Sequence, residues 1–267
     1  MPIYTGKTIV LTGASQGIGR ALALALAAQR PRLVLAARDR AALETVAEEC
    51  RAKGADVLVA PTDVADESQC RSLVEQAAAR FKVIDVLVNN AGIGMIARFE
   101  ELPDLSVYEH LMKVNYLGCV YPTYHALPHL RASRGQIVAM ASLAGLTGVP
   151  TRTGYAASKH AVIGFFDSLR VELRGSGVGV TVVCPYFVKS EIHRRAVGPD
   201  GQALGATPMK EDRLMTAETC AALTISAMEH RRRMLVMTAK GKLGRFLKLV
   251  APGLVDGIAE RAVGRGR

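Results

Sequence analysis

The chain has 267 residues, 49% of them hydrophobic, 22% charged and 5% aromatic, with no tryptophan. That size and apolar content suit a single α/β domain with a large core, and they exclude a disordered chain or a small disulfide-held module. The formal charge of +10 is carried by the end of the chain: from Arg231 onward ten Lys and Arg face only Asp256 and Glu260, which leaves +2 on the first 230 residues and gives the body no nucleic-acid-binding surface.

The order of elements is read from apolar runs of strand length that alternate with stretches of helical period. Thr8 to Thr12 leads into a helix from Gly17, Arg32 to Ala37 into a helix from Arg40, and Val57 to Pro61 into a helix from Glu67, followed by a strand over Ile84 to Val88. The series resumes with Gln136 to Ala141, a helix through Tyr155 to Leu173, and Gly179 to Cys184, which stops at Pro185. A last helix, capped by Thr216, runs toward His230 before the short apolar piece Met234 to Met237. This rhythm predicts an α/β fold, a Rossmann-like doubly wound parallel sheet flanked by helices, with a catalytic domain over 1–238. The stretch 189–214 is long for a connector and is expected to shape a substrate site.

Five cysteines (Cys50, Cys70, Cys119, Cys184 and Cys220) show no C-x-x-C spacing and read as reduced core residues, with no metal site expected. The chain enters the strand Thr8 to Leu11 with no signal-peptide pattern before it, and its longest apolar stretch, Ala21 to Ala28, is too short to span a bilayer. A cytoplasmic location is the expectation, with membrane association left open by the tail described below.

In an open α/β sheet the binding crevice lies beyond the carboxyl ends of the strands. Gly13, Gly17 and Gly19 follow the first strand, where glycines permit a tight turn, close approach of backbone to a pyrophosphate, and an anion site at a helix N-terminus. Arg38 ends the second strand, the point from which a side chain reaches an adenosine ribose; an arginine there suits a 2′-phosphate, hence NADP(H). Asp39 beside it can instead cap the next helix or pair with Arg38. Asp63 and Val64 follow strand three, Asn89-Asn-Ala-Gly92 strand four, Ser142 strand five, and Pro185 to Ser190 strand six. Tyr155 and Lys159 stand four apart on one helix face, so a fixed ammonium can stabilise a phenolate and make the tyrosine a usable acid or base.

Taken together, these residues resemble the classical short-chain dehydrogenase/reductase family over residues 5–230. The resemblance rests on Thr12-Gly-Ala-Ser-Gln-Gly-Ile-Gly19, Asn89-Asn-Ala-Gly92, Asn115 in Val-Asn-Tyr-Leu-Gly, Ser142, and Tyr155-x3-Lys159. It implies that Tyr155 is the acid/base, Ser142 hydrogen-bonds the substrate oxygen, Lys159 binds the nicotinamide ribose, and Asn115 holds a water in a proton relay ending at Lys159. It further implies that Gly13, Ser15, Gln16, Gly17, Ile18 and Gly19 cradle the cofactor, Ser15 and Arg38 share the 2′-phosphate, and Asp63 and Val64 meet the adenine. Asn90, Ala91, Gly92, Pro185, Val188 and Ser190 would line the nicotinamide side. NAD-preferring relatives usually carry an aspartate where this chain has Ala37. Relatives are commonly homodimers or homotetramers.

Two departures stand out. Tyr186 replaces the glycine that relatives usually carry after Pro185, either narrowing the nicotinamide pocket or filling space beneath the loop. The end, 239–267, is a basic amphipathic extension in which Leu243, Phe246, Leu247 and Val250 form a helical stripe beside Lys242, Arg245 and Lys248. Such a segment can rest on anionic lipid through 240–258, or pack on the body or on a second subunit. The ending loosely resembles members that handle hydroxysteroids and other lipid-like ketones. The expected activity is therefore NADP(H)-linked interconversion of a carbonyl and an alcohol on an apolar small molecule. Alternatives are a silent NADP(H)-binding regulatory protein and a reductase of small polar carbonyls.

Overall fold

The computed structural model describes residues 3–206 and 214–264. Residues 207–213 of the expected substrate loop, and Arg265 and Arg267 of the tail, lie outside the described residues. Seven strands, β1 (Thr8–Thr12), β2 (Arg32–Ala37), β3 (Asp56–Pro61), β4 (Val86–Asn89), β5 (Gln136–Met140), β6 (Gly179–Cys184) and β7 (Met234–Val236), form one sheet in the order β3-β2-β1-β4-β5-β6-β7. Every pairing is parallel. The order reverses between β1 and β4, so the doubly wound sheet has its switch point where the glycine-rich turn follows β1.

Both faces of the sheet are covered, which is why its strands read as continuous apolar runs. Alternate residues divide between two cores. Ile9, Leu11, Leu33, Leu35, Val86, Val88, Val138 and Met140 pack with helices α1 (Gly17–Ala27), α2 (Arg40–Ala52) and α7 (Ala217–Glu229). Val10, Val34, Leu87, Ile137, Ala139 and Val182 pack with α3 (Glu67–Phe81), α5 (Gly118–Ser133) and α6 (Thr153–Glu172). Local chemistry sets the helix starts. The Asp39 carboxylate accepts from Ala42 N, Asp66 from Ser68 N and Gln69 N, and Thr216 from Thr219 N. Asp39 is thus the cap of α2. The strand over 84–88 begins two residues later than its apolar run, because Lys82 turns in the left-handed region (φ 67°) and the Asp85 carboxylate is tied to Thr8 N and Lys7 Nζ, each at 2.9 Å.

Elements between β4 and β5 carry no clear periodicity in the sequence. The short α4 (Ser106–Leu111) runs into a π-helical stretch, Met112–Leu117, and then α5, which contains Pro122 and Pro128. A proline inside a helix has no N–H to offer and disturbs the preceding turn, and π-helical turns cluster at functional positions. Beyond β7, α8 (Ala239–Val250) and α9 (Pro252–Gly264) form a helical pair. Gly241 in α8 is buried, and a Cβ there would come within 2.9 Å of Leu143 Cδ1 and 3.0 Å of Val236 Cγ1. The start of the basic segment therefore packs beside the end of β5.

All five cysteines are buried and unpaired. Burial pushes the thiols of Cys50 and Cys119 up to about 11 and those of Cys70, Cys184 and Cys220 to about 12, so none supplies a thiolate near neutral pH.

Candidate active site

The turn after β1 is shaped for a phosphate. Gly13 (φ 65°) and Gly17 (φ 52°) lie in the left-handed region that favours glycine. At Gly19 an added Cβ would stand 2.0 Å from the Gly13 carbonyl oxygen, so α1 can begin this close to β1 only without a side chain there. Helix α1 has no side-chain cap and no acidic residue in its first turn, which leaves its N–H groups and positive end directed at the cleft. Asn90 ties the turn to β4: its amide donates to the carbonyls of Thr12 (2.9 Å) and Gly13 (3.1 Å). Thr12 Oγ1 accepts from the N–H groups of both Asn90 and Ala91. These residues fit a dinucleotide: glycine geometry for the pyrophosphate, an open helix N-terminus, and a cleft continuing to the end of β2.

That cleft is lined by Gly13, Ser15, Gln16, Gly17, Ile18, Gly19, Arg38, Asp63, Val64, Asn90, Ala91, Gly92 and Ser190. Arg38 is exposed at its edge, and the Asp63 carboxylate accepts from Ala65 N at 3.0 Å. Pro185 and Val188 are not brought to the cleft. Both are buried; Val188 packs in the core with α7, and its segment runs beside Met215, with Lys189 N donating to Met215 O and Met215 N to Phe187 O. Sequence reasoning passed over Arg195 and Ile192, which line the opposite wall from the 189–206 segment. Thr12 opens the glycine-rich motif in the sequence, but its tie to the Asn90 and Ala91 N–H groups is a tertiary contact with no sequence signal of its own.

Beyond the cleft, the strand ends and α6 bring four polar side chains into one neighbourhood. Lys159 is 3% exposed, and its ammonium donates to the Met140 carbonyl at 2.8 Å, stands 5.8 Å from the Tyr155 ring centroid, and has no carboxylate partner among the described residues. An ammonium has three donors, and this bond uses one. Asn115, in the π-helical stretch, accepts from Ile93 N (2.8 Å) and donates to Ile93 O (3.0 Å) and Ser158 Oγ (3.0 Å). A Cβ on Gly92 would sit 3.1 Å from Asn115 Oδ1 and 3.5 Å from Lys159 Nζ, so Asn115, Gly92 and Lys159 are packed together. Ser142, extended at the end of β5, accepts from Ala144 N at 3.1 Å, which leaves its O–H free to donate. Tyr155 lies half-buried against an apolar patch of Met95, Ala97, Val107 and Leu111.

Two buried polar groups flank this patch, and neither has a signal in the sequence. Arg152 is 9% exposed, its guanidinium lies 5.2 Å from the Phe187 ring centroid, and it makes no hydrogen bond or ion pair among the described residues. Burial pulls it below the usual arginine range, with Tyr155 opposing that shift. His193 is 6% exposed and its ring stands 6.1 Å from that of Phe187. Its Nε2 has no hydrogen-bond partner among the described residues. Burial holds the imidazole below its ordinary range, Arg152 pushes in the same direction, and a bond to the Val188 carbonyl opposes them. His193 is therefore neutral at pH 7. Among the described residues no three His, Cys, Asp or Glu converge as metal ligands.

A doubly wound sheet with an uncapped helix at its switch point, and a Ser–Tyr–Lys cluster on the adjoining strand ends, defines an α/β nucleotide-binding protein with acid/base groups beside the nucleotide cleft. The chain belongs to the short-chain dehydrogenase/reductase family, and it is an oxidoreductase of the nicotinamide-dependent kind that family comprises: residues 7–199 match the family model described as short chain dehydrogenase. It is 36% identical over 259 residues to a "Dehydrogenase/reductase SDR family protein 7-like" of Dictyostelium discoideum, covering 95% of this chain and 80% of that one. It is 39% identical over 201 residues to an "11-beta-hydroxysteroid dehydrogenase" of Pinus massoniana, covering 74% and 56% respectively. Among solved structures, a short chain dehydrogenase/reductase from Burkholderia phymatum in complex with NAD superposes with a TM-score of 0.84 at 29% identity, over 95% of this chain and 96% of that one. An alcohol dehydrogenase from Thermococcus sibiricus complexed with 5-hydroxy-NADP gives 0.75 at 26% identity, over 86% and 94%. The hydroxysteroid-type members are thus among its relatives. No helix among the described residues is long and apolar enough to cross a membrane.

Proposed function

We propose that the protein is an NADP(H)-dependent oxidoreductase interconverting a ketone or aldehyde and an alcohol, with Tyr155 as general acid/base, on a substrate with a largely apolar body. The observation that carries this reading is the buried Lys159 ammonium, held to Met140 O beside Tyr155 with donors to spare. When bound, the nicotinamide supplies or takes the hydride. A carbonyl accepting hydride gathers negative charge on oxygen, and the Ser142 and Tyr155 hydroxyls provide donors for it. Tyr155 then gives up its proton, with Lys159 stabilising the phenolate and turning another N–H toward the ribose. Asn115 keeps the 91–93 backbone and Ser158 in register with Lys159. An apolar substrate body is supported by the partly buried Ile93, Tyr108 and Val197, which pack with Tyr155 over the buried Met95, Ala97, Val107 and Leu111.

The preference for NADP(H) rests on Arg38 at the cleft edge and on the absence of a carboxylate at Ala37. The two similar solved structures hold NAD and 5-hydroxy-NADP respectively, so similarity leaves the choice to Arg38. The test is NADPH oxidation against a panel of steroid ketones, long-chain ketones and small aldehydes, repeated with NADH. Arg38→Ala is expected to raise KM for NADPH by about 10- to 100-fold, the worth of one or two charge-assisted phosphate contacts, and to leave NADH almost unchanged. Equal losses with both cofactors would remove the assignment.

The same reading assigns 239–264 to contact with an anionic lipid surface. Leu243, Phe246, Leu249, Val250, Leu254 and Ile258 are all more than half exposed, and Lys240, Lys242, Arg245 and Arg261 are exposed around them. Apolar side chains edged by cations suit an acidic headgroup layer. The protein is expected to sediment with phosphatidylserine-containing vesicles and not with phosphatidylcholine alone, and Phe246→Glu is expected to release it. A Phe246-dependent dimer with no vesicle binding would assign this face to a second copy instead. For pairing of subunits we assign the outer faces of α5 and α6, where Tyr124 and Val171 are exposed.

A further inference from the structure

We infer that the substrate carries an anionic oxygen group, a carboxylate, a few bonds from its reacting carbonyl, and that Arg152 binds it. This rests on the oxidoreductase reading and names the substrate class of that same site. Arg152 ends the connection from β5 and immediately precedes α6, one helical turn before Tyr155, so the two residues lie on neighbouring positions of one face. Its place is fixed by the backbone before it: Thr151 has φ 66°, a conformation a β-branched residue adopts only under constraint, and its carbonyl accepts from Ala97 N at 3.0 Å.

A guanidinium removed from water to this extent normally has a carboxylate or several carbonyl oxygens around it. Arg152 has neither among the described residues; one ring, Phe187, supports it at 5.2 Å. A single cation–π contact returns less than burial of an unpaired charge costs, so the arrangement is complete only with an anion present. The planar fork of an arginine matches a carboxylate bidentately. His193 supplies the second observation. Its Nε2 is buried beside the same Phe187 ring with no partner among the described residues, so this ring nitrogen is available to a hydroxyl on the ligand. With the partly buried Ile93, Tyr108 and Val197 packed beside Tyr155, the site fits an amphiphile with an aliphatic body and an acidic group near the carbonyl.

The test pairs aliphatic keto acids with their methyl esters, matched chain for chain, in NADPH-dependent reduction by the intact protein. In parallel, nonanoate and nonanol are titrated calorimetrically into the protein–NADP+ complex. The acid is expected to exceed its ester by at least about 30-fold in kcat/KM, and Arg152→Met is expected to bring that ratio to near unity and abolish nonanoate binding. Arg152→Lys, which keeps the charge without the fork, should fall between and guards against misfolding of the first variant. Esters reduced as well as acids by the unmodified protein, or nonanoate binding unchanged in both variants, would overturn the inference while leaving the oxidoreductase reading intact. Arg152-dependent nonanoate binding with no reduction of any ketone would uphold the anion site and sink the oxidoreductase reading.

Discussion

Tyr155→Phe is expected to lower kcat for carbonyl reduction by at least about a thousandfold while leaving NADPH affinity within about twofold, the size of effect that removal of a positioned proton donor produces. The substitution deletes one oxygen and keeps the ring against Met95, Val107 and Leu111, so the packing of α6 is preserved. Stopped-flow hydride transfer and fluorescence titration with NADPH separate the two quantities. A variant that retains more than a tenth of the original kcat would mean that another group delivers the proton. The described surroundings contain Ser142 as the next hydroxyl, but its oxygen already accepts from Ala144 N and an aliphatic hydroxyl is a far weaker acid than a phenol.

Lys159→Met is expected to act on two parameters at once, with kcat falling by about a hundredfold or more and KM for NADPH rising by about tenfold. The physical reason is that one ammonium serves both the phenol and the ribose. Methionine fills nearly the same volume, though it leaves the Met140 carbonyl without its bond, which costs about 1–3 kcal/mol of stability at a buried position. Steady-state kinetics over a range of NADPH concentrations checks the pair of effects, and thermal unfolding checks that the protein is folded. Loss of kcat with an unchanged KM would confine Lys159 to the proton-transfer role and remove it from cofactor binding.

How much of this was legible in the sequence depends on where each determinant is stored. The sheet was readable because strands buried on both faces are apolar at every position, and because Asp39, Asp66 and Thr216 announce the helices they cap. The Gly13 to Gly19 turn and the Tyr155–Lys159 pair were readable because their geometry is local. Asn115 was found only through the resemblance: its helix has little amphipathic pattern and a π-helical turn. Val188 was placed on the nicotinamide side by the resemblance alone; its side chain is buried with the α7 core, beside the backbone pairing of Lys189 and Phe187 with Met215. Arg152 sits in Pro-Thr-Arg-Thr-Gly, which reads as a solvated turn, and only contacts with Phe187, distant in sequence, bury it. Burial of a charge is a tertiary fact that no short window contains.

The stretch 189–214, rich in glycine, proline and charge, is expected from sequence to shape the substrate site, and the part over 189–206 is tied down by backbone bonds. Val197 N donates to Gly94 O and Ile96 N to Val197 O, Leu204 N returns to Ala196 O and Gly205 N to Arg194 O, and the Lys189–Met215 pairing anchors its base. Each such bond is worth about 1 kcal/mol net; the two through Val197 join the segment to the stretch after β4 that also carries Gly92 and Met95, and the others brace the segment on itself and at its base. Any opening of this wall therefore has to break the Val197 pairing to the stretch after β4 or carry that stretch along.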